Sequence, residues 1–238
     1  MSIDEKSIYA PCENLTCDYF KIGADQQELL CVDAYMQGVD KLRQHAIRSN
    51  NFAVADSFYP GIRMNISDAY IVELVRNFQG ILGDFFNLDL RTLKKAASKY
   101  SIVTTAPEDL KLMQRIPHFD APSKNSLAVI HYLCDAPDSG TAFYRHDQTG
   151  YEYVDEDRFE KYERSIVQRF QNPTLRPNGY MGANTQGYSE ITAFPAVYNR
   201  LLMYRGSSLH SGIIGPNYNF DPSPETGRLT ITSFIEFA

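Results

Sequence analysis

The apolar residues of this chain fall into short β-branched or aromatic runs and a few stretches of three- and four-residue spacing. Strands and amphipathic helices therefore interleave. Residues 1–25 are mixed and polar and read as an arm or an edge strand. Glu28–Asp33 reads as a strand, and residues 36–49 as a helix with Met36, Val39, Leu42 and Ile47 on one side. Phe58–Arg63, which contains Tyr-Pro-Gly, reads as a turn with an aromatic lead-in. Asp68 is placed to cap a helix through Leu82, whose stripe is Ile71, Leu74, Val75 and Phe78. Tyr100–Thr105 is strand-like, and Pro107 opens a turn that leads to an extended segment at His118.

The second half continues the alternation. Strands over 127–133 and 140–145 flank a turn from Asp135 to Gly140. Asp155–Phe170 is a charged helix, with Phe159, Tyr162, Ile166 and Phe170 at helical spacing. Residues 171–187 and 213–227 are rich in Asn, Pro and Gly and read as loops. Strands resume at Ile191, at Asn199–Tyr204, near His210 and from Arg228 to Phe237. No internal repeat is visible, and no linker is long enough to separate one domain from another. The expectation is one domain over residues 1–238.

Composition narrows the function classes. The 238 residues are 43% hydrophobic and 22% charged, which suits a globular chain able to bury a sizeable core. The formal net charge is −6 with no basic run, so nucleic acid is not an expected partner. No long apolar run predicts a membrane span. The acidic start, Met-Ser-Ile-Asp-Glu-Lys-Ser, lacks the apolar core of a secretory signal. Cys12, Cys17, Cys31 and Cys134 do not look like a disulfide framework; Cys12 and Cys17 are close enough in sequence to pair locally, and free thiols in a cytoplasmic protein are the expectation. Nothing in the pattern specifies an oligomeric state.

The chemistry concentrates in His118-Phe119-Asp120. On an extended strand, side chains two apart point the same way, so one imidazole and one carboxylate project together. A second histidine would complete the two-histidine, one-carboxylate face that holds non-haem Fe(II). His210, in Tyr204-Arg-Gly-Ser-Ser-Leu-His-Ser-Gly212, is the candidate. The other histidines fit less well. His45 lies on a predicted surface helix, and His131 and Tyr132 have opposite parity, so at most one of them faces such a site. Downstream, Arg228 and Thr230 share a face of the last strand by the same parity.

This ordered set of His-x-Asp, distal His and Arg-x-Thr resembles the Fe(II)/2-oxoglutarate-dependent oxygenases. The strand Leu127–Leu133 and the turn Ser139-Gly140-Thr141 resemble those of prolyl-hydroxylase-like members. Over roughly residues 28–238 the chain looks like an uncharacterised bacterial family within that superfamily. The resemblance implies a mainly β fold with flanking helices, built on a double-stranded β-helix, or jelly roll. The N-terminal helices would pack outside it, with an insertion at about 148–190. It implies Fe(II) on His118, Asp120 and His210. It implies 2-oxoglutarate as cosubstrate on Arg228, Thr230 and Tyr132. The reaction would hydroxylate a small molecule, amino acid or peptide side chain, consume O2, and release succinate and CO2. Asp120 favours hydroxylation, because halogenating relatives replace that carboxylate with a small residue. Tyr144, Arg145 and Arg63 are candidate substrate contacts. The spans from His118 to His210 and from His210 to Arg228 are long for the superfamily, and the insertion and the 213–227 loop account for them. Two other readings stand beside this one: a non-catalytic jelly-roll binding protein, and a cupin-type metal-dependent isomerase or hydrolase that would not need Arg228.

Overall fold

The structure, a computed structural model, describes residues 8–49, 51–55, 58–182 and 185–238. In chain order the elements are β1 (Thr16–Ile22), β2 (Gln27–Asp33), α1 (Val39–Ser49), β3 (Ala53–Val54), β4 (Gly61–Asn65), α2 (Asp68–Asn77), α3 (Gln79–Asp84) and β5 (Leu93–Val103). They continue with β6 (Ser126–Tyr132), β7 (Ala136–His146), α4 (Glu156–Phe170), β8 (Tyr188–Ala196), β9 (Leu201–Arg205), β10 (His210–Ile214) and β11 (Leu229–Phe237). Eight strands form a major sheet in the order β1-β2-β9-β6-β11-β5-β4-β3, and three form a minor sheet in the order β10-β7-β8. All pairings are antiparallel. The minor sheet lies over the middle of the major one, giving the jelly-roll core.

Strand alternation divides the major sheet into two faces with different chemistry. The outer face carries Leu30, Val32, Tyr100, Ile102, Leu127, Val129, Leu201, Met203, Leu229 and Ile231, which pack with residues of α1, α2 and α3 into one large cluster. Helix stripes supply the matching surface: Val39, Leu42 and Ala46 from α1, and Tyr70, Ile71 and Leu74 from α2. The inner face carries Leu29, Cys31, Ala128, Tyr132, Leu202 and Tyr204, which pack against Phe143, Phe194 and Ala196 of the minor sheet. A third cluster lies on the far side of the minor sheet, where Tyr162, Ile166 and Phe170 of α4 meet Ala142, Tyr144, Tyr188 and Leu209. Truncating one of these large buried side chains costs about 2–5 kcal/mol.

Several expectations shift in detail. Of the two readings for residues 1–25, an arm or an edge strand, the described part holds the second: β1 is an edge strand of the major sheet. The helix expected from Asp68 is capped instead by Ser67, whose hydroxyl accepts from the Ala69 N–H at 3.3 Å. It also ends at Phe78, before a second short helix. The expected turn at Phe58–Arg63 gives way to β4 from Gly61 onward. Its lead strand packs so closely on β5 that a Cβ at Gly61 would lie 2.0 Å from the Ile102 carbonyl oxygen, which only glycine tolerates. The turn expected over Asp135–Gly140 is a bulge within β7, where the register against β8 jumps between Ala136 and Gly140. Cys12, Cys17, Cys31 and Cys134 are free thiols. Among the described residues no helix is long and apolar enough to cross a membrane.

Candidate active site

His118 does not sit in a regular strand. It makes one isolated bridge to His210, with His118 N–H donating to the His210 carbonyl and His210 N–H to the His118 carbonyl, both at 2.9 Å. Pro117 and Pro122 bracket the segment and prevent a continuous ladder. Two residues on, the Asp120 N–H donates to the Gly206 carbonyl at 2.7 Å. These three backbone bonds fix both side chains of the His-x-Asp to the β9–β10 turn and to the start of β10.

The side chains converge. One ligand atom from each of His118, Asp120 and His210 lies within 4.8 Å of the others. Asp120 Oδ1 is 3.8 Å from His118 Nε2, Asp120 Oδ2 is 3.5 Å from His210 Nε2, and the two imidazole centroids are 4.4 Å apart. His210 Nδ1 is 2.9 Å from the Ser208 carbonyl, an acceptor that assigns the proton to Nδ1 and leaves Nε2 as a lone-pair donor. Tyr204 and Phe143 hold the ring edge-on and tilted at 4.8 and 6.2 Å.

Electrostatics favour metal over protons here. Burial lowers His210 to about 4, so its imidazole is neutral at pH 7. His118 is also lowered, first by burial and then by His210, although half of its side chain remains open to solvent. Burial raises Asp120, with His118 and Arg63 opposing. Two neutral imidazoles and a destabilised carboxylate on one face suit a divalent cation, whose charge offsets the cost of desolvating the carboxylate.

Deeper between the sheets lies Arg228. Its Nε donates to Ser139 Oγ at 2.5 Å and one terminal nitrogen to the Gly140 carbonyl at 2.9 Å. Both acceptors belong to the β7 bulge, which turns them toward β11. The residue is only 5% exposed, yet among the described residues no carboxylate lies within ion-pair distance of it. Burial opposes its charge, while Tyr132, Tyr59, Cys134 and Tyr218 act the other way and hold it above the ordinary arginine value; these four are themselves neutral at pH 7. A buried guanidinium without a counter-ion costs several kcal/mol, and an anionic ligand removes that cost.

A polar row crosses the inner face beside it. Arg63, Ser101, Thr230 and Tyr132 are direct register partners on β4, β5, β11 and β6. Tyr132 hydroxyl pairs with Thr141 Oγ1 at 2.7 Å, and its ring lies 5.5 Å from the Arg228 guanidinium. Thr230 donates to the Ser101 carbonyl at 3.3 Å and meets the Tyr59 hydroxyl. His131, one residue from Tyr132, points to the outer face, where Tyr70 and Asn199 bind its two ring nitrogens at 3.1 and 3.0 Å.

The structure therefore brings His118, Asp120 and His210 together and places Arg228, Thr230 and Tyr132 inside the same barrel. It does not bring Tyr144 there. Tyr144 lies on the face of the minor sheet opposite His210 and Phe143, buried against α4, because the two strands pair Phe143 with His210 and turn Tyr144 outward. Arg145 is exposed opposite Ser189. Arg63 faces inward, since Ile62 and Met64 on either side of it join the outer cluster. Residues that sequence reasoning missed are Tyr59, Ser139 and Thr141. Ser139 and Thr141 flank the noted Gly140, and alternation about that glycine was the available signal.

With this geometry in view, the sequence can be placed. The chain belongs to the family of unknown function DUF6445. That family's model matches residues 13–235. No curated protein matches the sequence. Among solved structures, the chain is similar to the non-heme alpha ketoglutarate dependent carbocyclase SnoK from nogalamycin biosynthesis, at 8% identity and a TM-score of 0.52, over 100% of this chain and 85% of that one. It is also similar to the epimerase SnoN from the same biosynthesis, at 14% identity and TM-score 0.51, over 89% and 79%. A third is HygX from Streptomyces hygroscopicus with nickel, 2-oxoglutarate and hygromycin B bound, at 10% identity and TM-score 0.50, over 90% and 84%. At these identities the likeness is one of fold: this DUF6445 chain is mainly β, on a double-stranded β-helix shared with those structures.

Proposed function

We propose that this DUF6445 protein is an Fe(II)- and 2-oxoglutarate-dependent dioxygenase that hydroxylates a small molecule, an amino acid or a peptide side chain. One observation carries the reading. A two-histidine, one-carboxylate cluster shares a barrel with a buried arginine that has no counter-ion among the described residues. A cupin-type hydrolase or isomerase would use the first and has no need of the second. The similar solved structures include two alpha ketoglutarate dependent enzymes and one with nickel and 2-oxoglutarate bound, and they agree with it.

Each residue then has a task. His118, Asp120 and His210 hold the metal through His118 Nε2, one Asp120 oxygen and His210 Nε2, and the Ser208 carbonyl keeps His210 in the right tautomer. Fe(II) held by these residues would supply the oxidative chemistry, in which O2 and 2-oxoglutarate are consumed and succinate and CO2 are released as one oxygen atom goes to the substrate. Arg228 pairs with the carboxylate of 2-oxoglutarate that is remote from the metal. Its Nε and one terminal nitrogen are fixed by Ser139 and Gly140, so the fork is pre-oriented. Thr230 and Tyr132 flank that carboxylate with hydroxyl groups. Phe143 and Tyr204 keep water from the His210 side of the site. Four free cysteines agree with a cytoplasmic setting.

The test is conversion of 2-oxoglutarate to succinate by the purified protein. Activity should need added Fe(II) and disappear in Asp120→Ala. Absence of both 2-oxoglutarate binding and succinate formation in Fe(II)-loaded protein would return the reading to a binding protein.

A further inference from the structure

A second inward-facing arginine is not used by the reading above. Arg63 lies on β4, separated from β11 only by β5, and heads the row that runs through Ser101 and Thr230 to Tyr132. Its guanidinium stacks on the Tyr59 ring at 4.3 Å from the centroid. Its Nε is buried and has no hydrogen-bond partner among the described residues. No carboxylate there lies within ion-pair distance of it. Stacking of this kind is worth about 0.5–1 kcal/mol at an exposed site, rising to about 2 when desolvated. That does not satisfy the open donors of a guanidinium.

The surroundings have the same sign. Lys99 follows one row down on the inner face, opposite Asn65, exposed and without an acidic partner among the described residues. Arg63, Asn65 and Lys99 border a groove of about 500 Å³ that continues past the β3 edge to His45. On the inner face of β11 nearby, Phe234 is 39% exposed, so the minor sheet leaves this end of the barrel uncovered. Arg63 and Lys99 thus set two cations side by side on a protein whose net charge is −6.

We propose that Arg63 binds the substrate through a carboxylate of that substrate, so that this dioxygenase acts on carboxylate-bearing small molecules. This rests on the proposed function for the word substrate, and on Arg63 alone for the anion. A guanidinium suits the task because its planar fork matches a carboxylate bidentately and keeps its charge at every working pH. Arg228 is occupied by the cosubstrate, so Arg63 remains the inward-facing arginine left for a second carboxylate. Tyr59 fixes the plane of the fork from below, and Lys99 extends the positive field toward solvent.

The test uses the full chain with Fe(II) and saturating 2-oxoglutarate under anaerobic conditions. Phenylglyoxal modification at Arg63 is followed by mass spectrometry, with a panel of N-acetyl amino acids and their primary amides as matched probes. At least one acid should slow modification by roughly tenfold or more, the scale of a charge-assisted hydrogen-bonded pair, and its amide should not. Arg63→Met should leave 2-oxoglutarate affinity within about twofold and abolish stimulation of succinate release by that acid, and Arg63→Lys should restore part of it. Equal protection by acids and amides, or none by any acid, overturns the inference. So does a loss of 2-oxoglutarate affinity in Arg63→Met matching that in Arg228→Ala, because Arg63 would then serve the cosubstrate. The protection experiment repeated without Fe(II) or 2-oxoglutarate reads the anion site even if the dioxygenase reading fails.

Discussion

The two faces of the major sheet use the same strands and the same residue types, and they treat polar groups in opposite ways. On the outer face and at the sheet margin several buried or half-buried polar groups are answered within the fold. His131 has both ring nitrogens bonded, by Tyr70 and Asn199. Arg200 grips Asp33 with two bonds at 2.6 and 2.7 Å, and Arg205 binds Glu28 at 3.1 Å. On the inner face His210 Nε2 faces Asp120 and His118, and among the described residues no carboxylate lies within ion-pair distance of Arg228 or Arg63. A core that is only structural satisfies its buried polar groups from within. A carboxylate and two imidazoles that converge, beside two guanidinia without a carboxylate, make an arrangement that a ligand from outside would complete. His131 and His210 sharpen the contrast, because burial lowers both to about 4. Equal desolvation therefore does not separate these two histidines, whereas the groups around them do.

The largest effect that could break this contrast concerns metal. His118→Ala, Asp120→Ala and His210→Ala should each lower Fe(II) affinity by about 100-fold or more, beyond the 10–100-fold typical of losing an outer partner. His131→Ala should lower Tm and leave Fe(II) affinity unchanged. Isothermal titration with Fe(II) under nitrogen reads both, and metal loss in His131→Ala matching that in His210→Ala would erase the distinction between faces.

Next in size is Arg228. Arg228→Ala should raise the Kd for 2-oxoglutarate by about 100-fold or more, on the 2–5 kcal/mol scale of breaking a buried charge pair, with Fe(II) affinity near that of the parent. Arg228→Lys should recover part of the loss, since charge returns without the fork. Arg200→Ala should leave 2-oxoglutarate binding unaffected, and an effect there would move the carboxylate clamp to the sheet margin.

The pH response is smaller and separates folding from ligation. A histidine whose folded-state pKa lies below the unfolded 6.5 stabilises the fold above that value. Its contribution is lost as pH falls from about 6.5 toward 4. For His131 the shift corresponds to at most about 3 kcal/mol. The metal-free protein should therefore lose Tm progressively between pH 6.5 and 4, and His131→Gln should flatten part of that slope. A metal-free Tm independent of pH across this window would show that the outer-face histidine is not buried neutral.

Much of this organisation was legible in the sequence. Alternation about Tyr132 and about Arg228 and Thr230 gives the inner face directly, because period-two parity survives whatever the strand packs against. The His-x-Asp and His210 were legible as residue types, while their meeting depends on the His118–His210 bridge between segments far apart in the chain. β4 was hidden by Tyr-Pro-Gly, since proline and glycine signal turns and only the close approach to Ile102 reveals why the glycine is needed. The bulge at 136–140 looked like a turn because both use Asp, Ser and Gly, and the difference is made by β8 alongside. Tyr144 was misplaced because its neighbour in sequence, Phe143, does face His210.

That last correction yields the smallest expected effect and the finest test of the facing rule. Phe143 and Tyr144 are adjacent, both about 1% exposed, and both aromatic. Phe143 stands with Tyr204 and His210 between the sheets, at ring separations of 4.9 and 6.2 Å, and Tyr144 stands with Leu209, Tyr162 and Ile166 under α4. Burial raises the Tyr144 hydroxyl to about 12, so it stays protonated, and removing it deletes one polar atom from an apolar cluster. Tyr144→Phe should therefore change Tm by no more than a few degrees and leave Fe(II) and 2-oxoglutarate affinities within about twofold, since a single neutral hydrogen bond is worth about 1 kcal/mol. Phe143→Ala should instead lose both Tm and metal affinity, because the cavity it opens loosens the His210 ring. Succinate release that fell in Tyr144→Phe while Tm held would place that hydroxyl on the reacting side and reverse the assignment of the two faces of β7.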